Sequence, residues 1–130
     1  METARPDVLD PAAQPRRVVE LLADGRVLLV VHALAGDCLR YRELERRVDG
    51  MPQRALTQTL QTLMRYGLAE RTQDGDGYRL TALGESLRAE VVDPLCAWAV
   101  DHAEDVRARR ESSARRPARS GGGGCAPPAS

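Results

Sequence analysis

A chain of 130 residues with 42% hydrophobic content has room for one domain with a modest core and none for a second, catalytic one. The formal net charge is zero, so the overall balance argues neither for nor against a polyanionic partner, and local distribution has to decide. No apolar run is long enough to span a bilayer, and residues 1–15 are polar and Pro-rich, unlike a secretory leader; the expectation is a cytoplasmic protein with no membrane partner.

Residues 1–15 are expected to be a disordered arm. A short helix over 16–23 follows, carrying Val18, Val19, Leu21 and Leu22 and ended by Asp24-Gly25. The next run, 27–34, is almost wholly apolar, and its periodicity alone leaves buried strand and buried helix open. His32 falls inside it and reads as a packed residue. Over 41–48, Tyr41, Leu44 and Val48 recur at helical spacing, with Arg42, Glu43, Arg46 and Arg47 on the other side, as in a short amphipathic helix. Asp49-Gly50 breaks the chain, and Pro52 suits the first turn of another helix.

That helix, 52–66, has the clearest pattern in the chain. Leu56, Leu60, Leu63 and Met64 fall on one face, whereas Arg54, Gln58, Gln61 and Arg65 fall on the opposite face with Thr57 at its flank. Gly67 is placed to end it as a left-handed cap. Residues 68–72 and 78–80 are extended pieces around Gln73-Asp74-Gly75-Asp76-Gly77, which predicts a β-hairpin. Thr81 precedes a helix from Ala82. A second boundary is expected at Asp93-Pro94, with Asp93 as cap and Pro94 opening a helix to about residue 110. Leu95, Trp98, Ala99, His102 and Val106 form an apolar stripe on it. From Arg107 onward six arginines face the single Glu111, then four glycines lead into Cys125; residues 111–130 are expected to be a disordered, solvated tail.

Catalytic chemistry finds few candidates. Cys38, Cys96 and Cys125 are odd in number and widely spaced, with no CxxC pair and no histidine at zinc-ligand spacing. Cys38 and Cys96 are expected to be partly buried packing residues. His32 and His102 are the only histidines, and neither a nucleophile elbow nor a paired acid cluster is present, so no enzyme, metal or cofactor is expected.

Helix, short break, amphipathic helix with a polar outer face, then hairpin is the layout of a winged helix-turn-helix. Its second helix enters the DNA major groove, where Arg pairs with guanine and Gln with adenine. Residues 39–71 carry seven arginines against four acids, a local excess of three positive charges. Arg54, Gln58 and Gln61, with Gln53 before them and Thr57 beside them for a thymine methyl or a phosphate, are the candidate base readers. Arg40, Arg42 and Arg65 are the candidate phosphate holders. Two carboxylates at the hairpin tip, Asp74 and Asp76, would repel phosphates, so Arg71 or Arg79 would make any contact from the strands.

Five segments resemble the HxlR family of bacterial regulators in order and spacing. Gly36 with Arg40-Tyr41-Arg42-Glu43-Leu44 is similar to the family's glycine and Arg-Phe-x-Glu-Leu; residues 50–60 resemble its recognition helix. Leu63 and Gly67-Leu68-Ala69-Glu70-Arg71 match Leu-x-x-x-Gly-Leu-Val-x-Arg, and Tyr78-Arg79-Leu80-Thr81-Ala82-Leu83-Gly84 matches Tyr-x-Leu-Thr-x-x-Gly. Leu95 to Trp98 fits a late Leu-x-x-Trp. The resemblance covers residues 18–99 and implies a mainly α fold with a small β-hairpin, a winged helix-turn-helix over 16–110 with terminal dimerisation helices, and a helix for 27–34. It further implies a homodimer, built from the first and last helices, that binds double-stranded DNA at a pseudo-palindromic operator and usually represses, with room for a small-molecule effector between the helices flanking Cys96 and Trp98. Leu95, Trp98, His102 and Val106 are the candidates for the dimer surface, with an intramolecular core role for Trp98 equally open.

Several positions depart from the family pattern. Arg26 stands at the family's tryptophan, Pro52 at its N-capping serine, and Ala13 near its N-terminal redox cysteine, so a thiol switch is not carried over. These departures, the acidic hairpin tip and the zero net charge keep a second reading open, a winged helix used as a protein-interaction or dimerisation module without DNA binding.

Overall fold

The computed structural model describes residues 7–115. It divides into two compact units, one up to Cys96 and one from Ala97 onward. The elements are α1 (Gln14–Leu22), α2 (Gly25–Ala33), β1 (Leu39–Arg40), α3 (Tyr41–Arg47), α4 (Gln53–Arg65), β2 (Ala69–Arg71), β3 (Gly77–Leu80), α5 (Ala82–Leu87), a π-helical turn (Arg88–Val92) and α6 (Asp93–Arg115). The fold is mainly helical with a small antiparallel sheet, the winged helix-turn-helix expected from the layout.

In α2 the ambiguity of the apolar run is resolved. Val27, Val30, Val31 and Leu34 are buried at i, i+3, i+4 and i+7, the spacing of a helix face and not of a strand. Asp24 caps the helix, its Oδ1 accepting from the Arg26 amide at 3.0 Å. Around α2 pack Leu44 of α3 and Val48 just after it, Leu56, Leu60 and Leu63 of α4, Leu39 and Leu80 of the sheet, and Val92 of the π turn. His32 lies on the helix's outer side and is exposed, which corrects the expectation that it is packed.

The sheet has three strands in the order β1-β3-β2 rather than the two of a hairpin. Strand β1 is two residues long, too short for any periodicity, and pairs Leu39 with Tyr78 and Arg40 with Gly77. Between β2 and β3 the register sets Glu70 opposite Arg79 and Arg71 opposite Tyr78. Both cross-strand pairs make side-chain contacts: Arg79 Nε donates to Glu70 Oε1 at 2.9 Å, and the Arg71 guanidinium stands 5.6 Å from the Tyr78 ring centre.

Two glycines explain how the third and fourth sequence motifs lock together. Gly67, at φ 73°, ends α4 as a Schellman cap, with the Leu68 amide donating to Leu63 O at 2.9 Å and the Gly67 amide to Met64 O at 3.1 Å. Thr81 then joins the helix ends. Its hydroxyl donates to Gly67 O at 2.6 Å and accepts from the Gly84 amide at 3.1 Å, and its own amide donates to Leu68 O at 3.0 Å. Gly84 is the point of closest approach, since a Cβ there would lie 2.0 Å from the Leu68 carbonyl oxygen.

Other boundaries shift. Pro52 is the N-cap of α4, with ψ 146°, and not part of its first turn. Asp93 does not cap a new helix: its backbone is helical, and the helical run continues through the π turn into α6. Pro94 lacks the amide that would bond to the Glu90 carbonyl, and the wider π turn accommodates its ring without breaking the run. Cys96 and Trp98 therefore sit on one continuous helix and not between two. That helix extends to Arg115, so the expected tail over 111–130 begins helical, carried past residue 110 by Arg107 pairing with Glu104 and Glu111. Cys125, the glycine run and residues 1–6 of the expected N-terminal arm lie outside the described residues.

Candidate nucleic-acid interface

Helix α4 sorts its side chains as the sequence pattern requires. Ala55, Leu56, Thr59, Leu60 and Leu63 are buried, Thr59 satisfying its hydroxyl on the Ala55 carbonyl at 2.8 Å. Gln53, Arg54, Thr57, Gln58, Gln61 and Arg65 are all exposed. Among them Arg54, Gln58, Gln61 and Arg65 follow one another at i, i+4, i+7 and i+11 and so make one polar stripe.

The remaining candidates stand on neighbouring elements. Arg40 ends β1 and precedes α3, where its amide donates to Glu43 Oε1 at 3.1 Å, and Arg42 lies in the first turn of α3. Arg71 ends β2, on the other side of β3 from Arg40. All three are exposed.

Ion pairing separates these arginines from five others among the described residues. Arg16, Arg47, Arg79, Arg88 and Arg107 each pair with a carboxylate. Arg40, Arg42, Arg54, Arg65 and Arg71 pair with none among the described residues, so their charge is available to an external anion. Arg79, one of the two arginines expected to contact DNA from the strands, is held by Glu70.

Hydrogen bonds at the hairpin tip hold Asp74 in its charged, carboxylate form. Asp74 accepts from the Thr72 hydroxyl and from the Asp76 amide, and these bonds hold its carboxyl below the usual carboxylate range, with Arg40 adding a smaller charge effect. The Thr72 hydroxyl also accepts from the Gly77 amide at 3.0 Å, closing the loop onto itself.

Two groups of residues escaped the sequence reading. Tyr41, read only as a core-facing position of its helix, brings its hydroxyl within 3.1 Å of the Gln53 carbonyl oxygen and 3.0 Å of Thr57 Oγ1. Asp93 joins α2 to the helical run: its Oδ1 is 2.8 Å from His32 Nδ1, while Oδ2 accepts from Arg88, which also reaches Glu85. The hydrogen bonds from His32 and Arg88 hold the Asp93 carboxyl below its ordinary range against a partial burial cost, and Glu85 with Asp93 raises the Arg88 guanidinium. No pattern in the sequence signals the Tyr41 contacts or the His32–Asp93 pair, because those partners are 12 to 61 positions apart; Arg88 lies within five positions of both its partners. Cys38 is exposed and Cys96 half-buried, so only Cys96 fits the packing role expected of both.

On the helix from Ala97 onward, the Trp98 and His102 rings stack with centres 4.5 Å apart and planes 13° apart, and His102 Nδ1 is 2.9 Å from the Trp98 carbonyl oxygen. Trp98 and Val106 are about half exposed, as is Leu95 at the helix start.

A three-helix core around α2, an amphipathic α4 capped by Gly67, and a hairpin behind it define a winged helix-turn-helix protein. The HxlR-like helix-turn-helix family matches residues 21–107, two thirds of the chain, and the chain belongs to that family of transcriptional regulators, which bind DNA and are not enzymes. Among solved structures, ytfH from Salmonella typhimurium is 26% identical over 82% of this chain and 99% of its own, with a TM-score of 0.72. YodB from B. subtilis in its quinone-bound form is 26% identical over 68% of this chain and 97% of its own, at a TM-score of 0.59. The reduced form of that transcriptional regulator gives 25% identity over 70% and 91% of the two chains, at 0.58. No curated protein sequence is significantly similar. Among the described residues no helix is long and apolar enough to cross a membrane.

Proposed function

We propose that the protein is a homodimeric repressor that reads a pseudo-palindromic DNA site with α4. The observation that carries the reading is the exposed stripe Arg54, Gln58, Gln61 and Arg65, whose arginines have no carboxylate partner among the described residues. Arg54, Gln58 and Gln61, flanked by Gln53 and Thr57, supply the donors and acceptors for base edges. Arg40, Arg42, Arg65 and Arg71 hold phosphates on either side and set the register.

One such helix covers only a few base pairs, so two copies are required, with α4 helices about 34 Å apart in successive major grooves. Apolar surface left uncovered in the single chain supports the dimer: Val18 and Val19 of α1 are half exposed, as are Leu95, Trp98 and Val106 of α6, beside His102. A small-molecule effector completes the reading. The YodB structure is quinone-bound, and an apolar groove of about 300 Å³ lined by Val18, Leu21, Leu22, Tyr66, Leu83 and Leu87 offers a place for a small apolar ligand here. Such a protein would work in the cytoplasm, where the DNA is.

The test is binding of the purified protein to its own upstream intergenic DNA at two salt concentrations, alongside sedimentation to establish two copies per site. Four phosphate-holding arginines in each of two subunits predict a log–log salt slope of about −7. A folded dimer without sequence-specific, salt-sensitive binding would transfer the reading to a protein-interaction module.

A further inference from the structure

The Tyr41 ring packs against the core at the start of α3, while its hydroxyl reaches the first turn of α4. Its two partners there differ in what they can do. A carbonyl oxygen only accepts, so the single phenolic proton goes to Gln53 O at 3.1 Å. The 3.0 Å contact to Thr57 then requires the Thr57 hydroxyl to be the donor. Thr57 is exposed on the flank of the polar stripe, yet its hydroxyl proton is committed inward, to α3. The methyl on the same Cβ takes no part in that bond, so engaging the hydroxyl fixes the rotamer on which the methyl is carried.

We infer that Tyr41 is a positioning residue for base readout: its hydroxyl fixes the Thr57 rotamer so that the Thr57 methyl, and not its hydroxyl, meets a thymine methyl, and it holds the first turn of α4 so that Arg54 and Gln58 reach base edges. The inference rests on the reading of α4 as the helix that contacts bases. A threonine with an uncommitted hydroxyl can turn it toward a phosphate or a base and tolerate several bases. Engaging that proton with Tyr41 removes the hydroxyl as a donor to phosphates and base acceptors and fixes the rotamer that carries the methyl, whose apolar contact among the bases favours thymine in the major groove. The Gln53 carbonyl that Tyr41 holds is also the one to which the Thr57 amide bonds in a regular helix, so one phenol restrains backbone and side chain of the same turn.

Selection from randomised duplex DNA with the wild type, Tyr41→Phe, Thr57→Val and the double variant tests this. The wild type is expected to select a motif with thymine at the position facing Thr57, and uracil there costs it about fourfold in affinity, the worth of one methyl. Thr57→Val keeps a methyl and keeps the thymine preference. Tyr41→Phe retains its melting profile and its affinity for mixed-sequence DNA, loses the thymine preference, and binds the selected motif about five- to tenfold more weakly. The double variant binds no more weakly than Tyr41→Phe, because it has no hydroxyl at position 57 left to be freed. Unchanged base preference and affinity in Tyr41→Phe would overturn the inference while leaving readout by α4 intact. An equal loss of specific and mixed-sequence binding would also overturn it, since that is the mark of general loosening. A wild type that selects no motif would remove the α4 reading and the inference together.

Discussion

Gly84→Ala offers a test whose sign separates local propensity from tertiary packing. In an isolated helix alanine is favoured over glycine by about 1 kcal/mol, so on propensity alone the variant should be more stable. In the fold, the new Cβ would lie 2.0 Å from the Leu68 carbonyl oxygen and 3.1 Å from Leu80 Cδ2. Relaxed carbon–oxygen contacts begin at roughly 3.3 Å, so α5 has to retreat by roughly 1.3 Å. The Leu68 oxygen is backbone and cannot rotate away. It also accepts the Thr81 amide at 3.0 Å, and the Thr81 hydroxyl that caps α5 bonds to Gly67 O, so the retreat stretches these bonds as well. Overpacking of about 1–3 kcal/mol plus roughly 1 kcal/mol for each of the two weakened Thr81 interactions outweighs the propensity gain. The expected net loss is about 2–4 kcal/mol, a fall in Tm of roughly 10–25 °C for a domain of this size. Thermal unfolding followed by circular dichroism, at equal protein concentration for both variants, measures it. A Gly84→Ala protein that melts at or above the wild-type temperature would refute the packing argument, and Thr81→Val, expected to cost only about 1 kcal/mol, calibrates the scale.

Other consequences are simpler to check. Arg54→Ala combined with Gln58→Ala should leave the fold unchanged and weaken specific DNA binding by about a hundredfold, read by competition titration; an unaltered affinity for the selected site would move readout elsewhere. Arg42→Ala should weaken binding to all sequences alike and reduce the salt slope by about 2 per dimer, measured over a salt series. For Asp93, whose carboxyl is held low by His32 and Arg88, the stabilisation is present above the unfolded value near 3.8 and disappears as pH falls through the lowered folded value. The Tm difference between wild type and Asp93→Asn should accordingly shrink across that acidic window, whereas a difference independent of pH would mean the ion pairs contribute nothing. Leu56→Ala, at a fully buried site of α4, should cost about 2–5 kcal/mol in denaturant unfolding.

The site and the fold were legible to different depths. On α4 the alternation of apolar and polar positions is long enough to place Arg54, Gln58, Gln61 and Arg65 on one face and Leu56, Leu60 and Leu63 on the other without coordinates. Strand β1 was not legible, because two residues carry no period, and its existence depends on Leu39 and Arg40 finding Tyr78 and Gly77 across the sheet. His32 was misread for the same reason in reverse: an apolar neighbourhood in sequence says nothing about which side of α2 faces outward when the run is apolar nearly all round. Asp93-Pro94 looked like a boundary because both residues favour helix starts, yet the π turn absorbs the proline.

What the sequence by itself determined is the set of local structures whose cause is local: the amphipathic α4, the left-handed stop at Gly67, the hairpin loop, the helix start after Thr81. Each follows from a side-chain volume, a hydrogen-bonding hydroxyl or a missing Cβ acting within about one helical turn. Only the tertiary structure decided which charges are already neutralised and which remain available, since Arg79 meets Glu70 and Arg88 meets Asp93 while Arg54 and Arg65 meet no described carboxylate. Ion pairs and hydrogen bonds act between atoms a few ångströms apart, and positions as distant along the chain as His32 and Asp93 become neighbours only when the core around α2 closes.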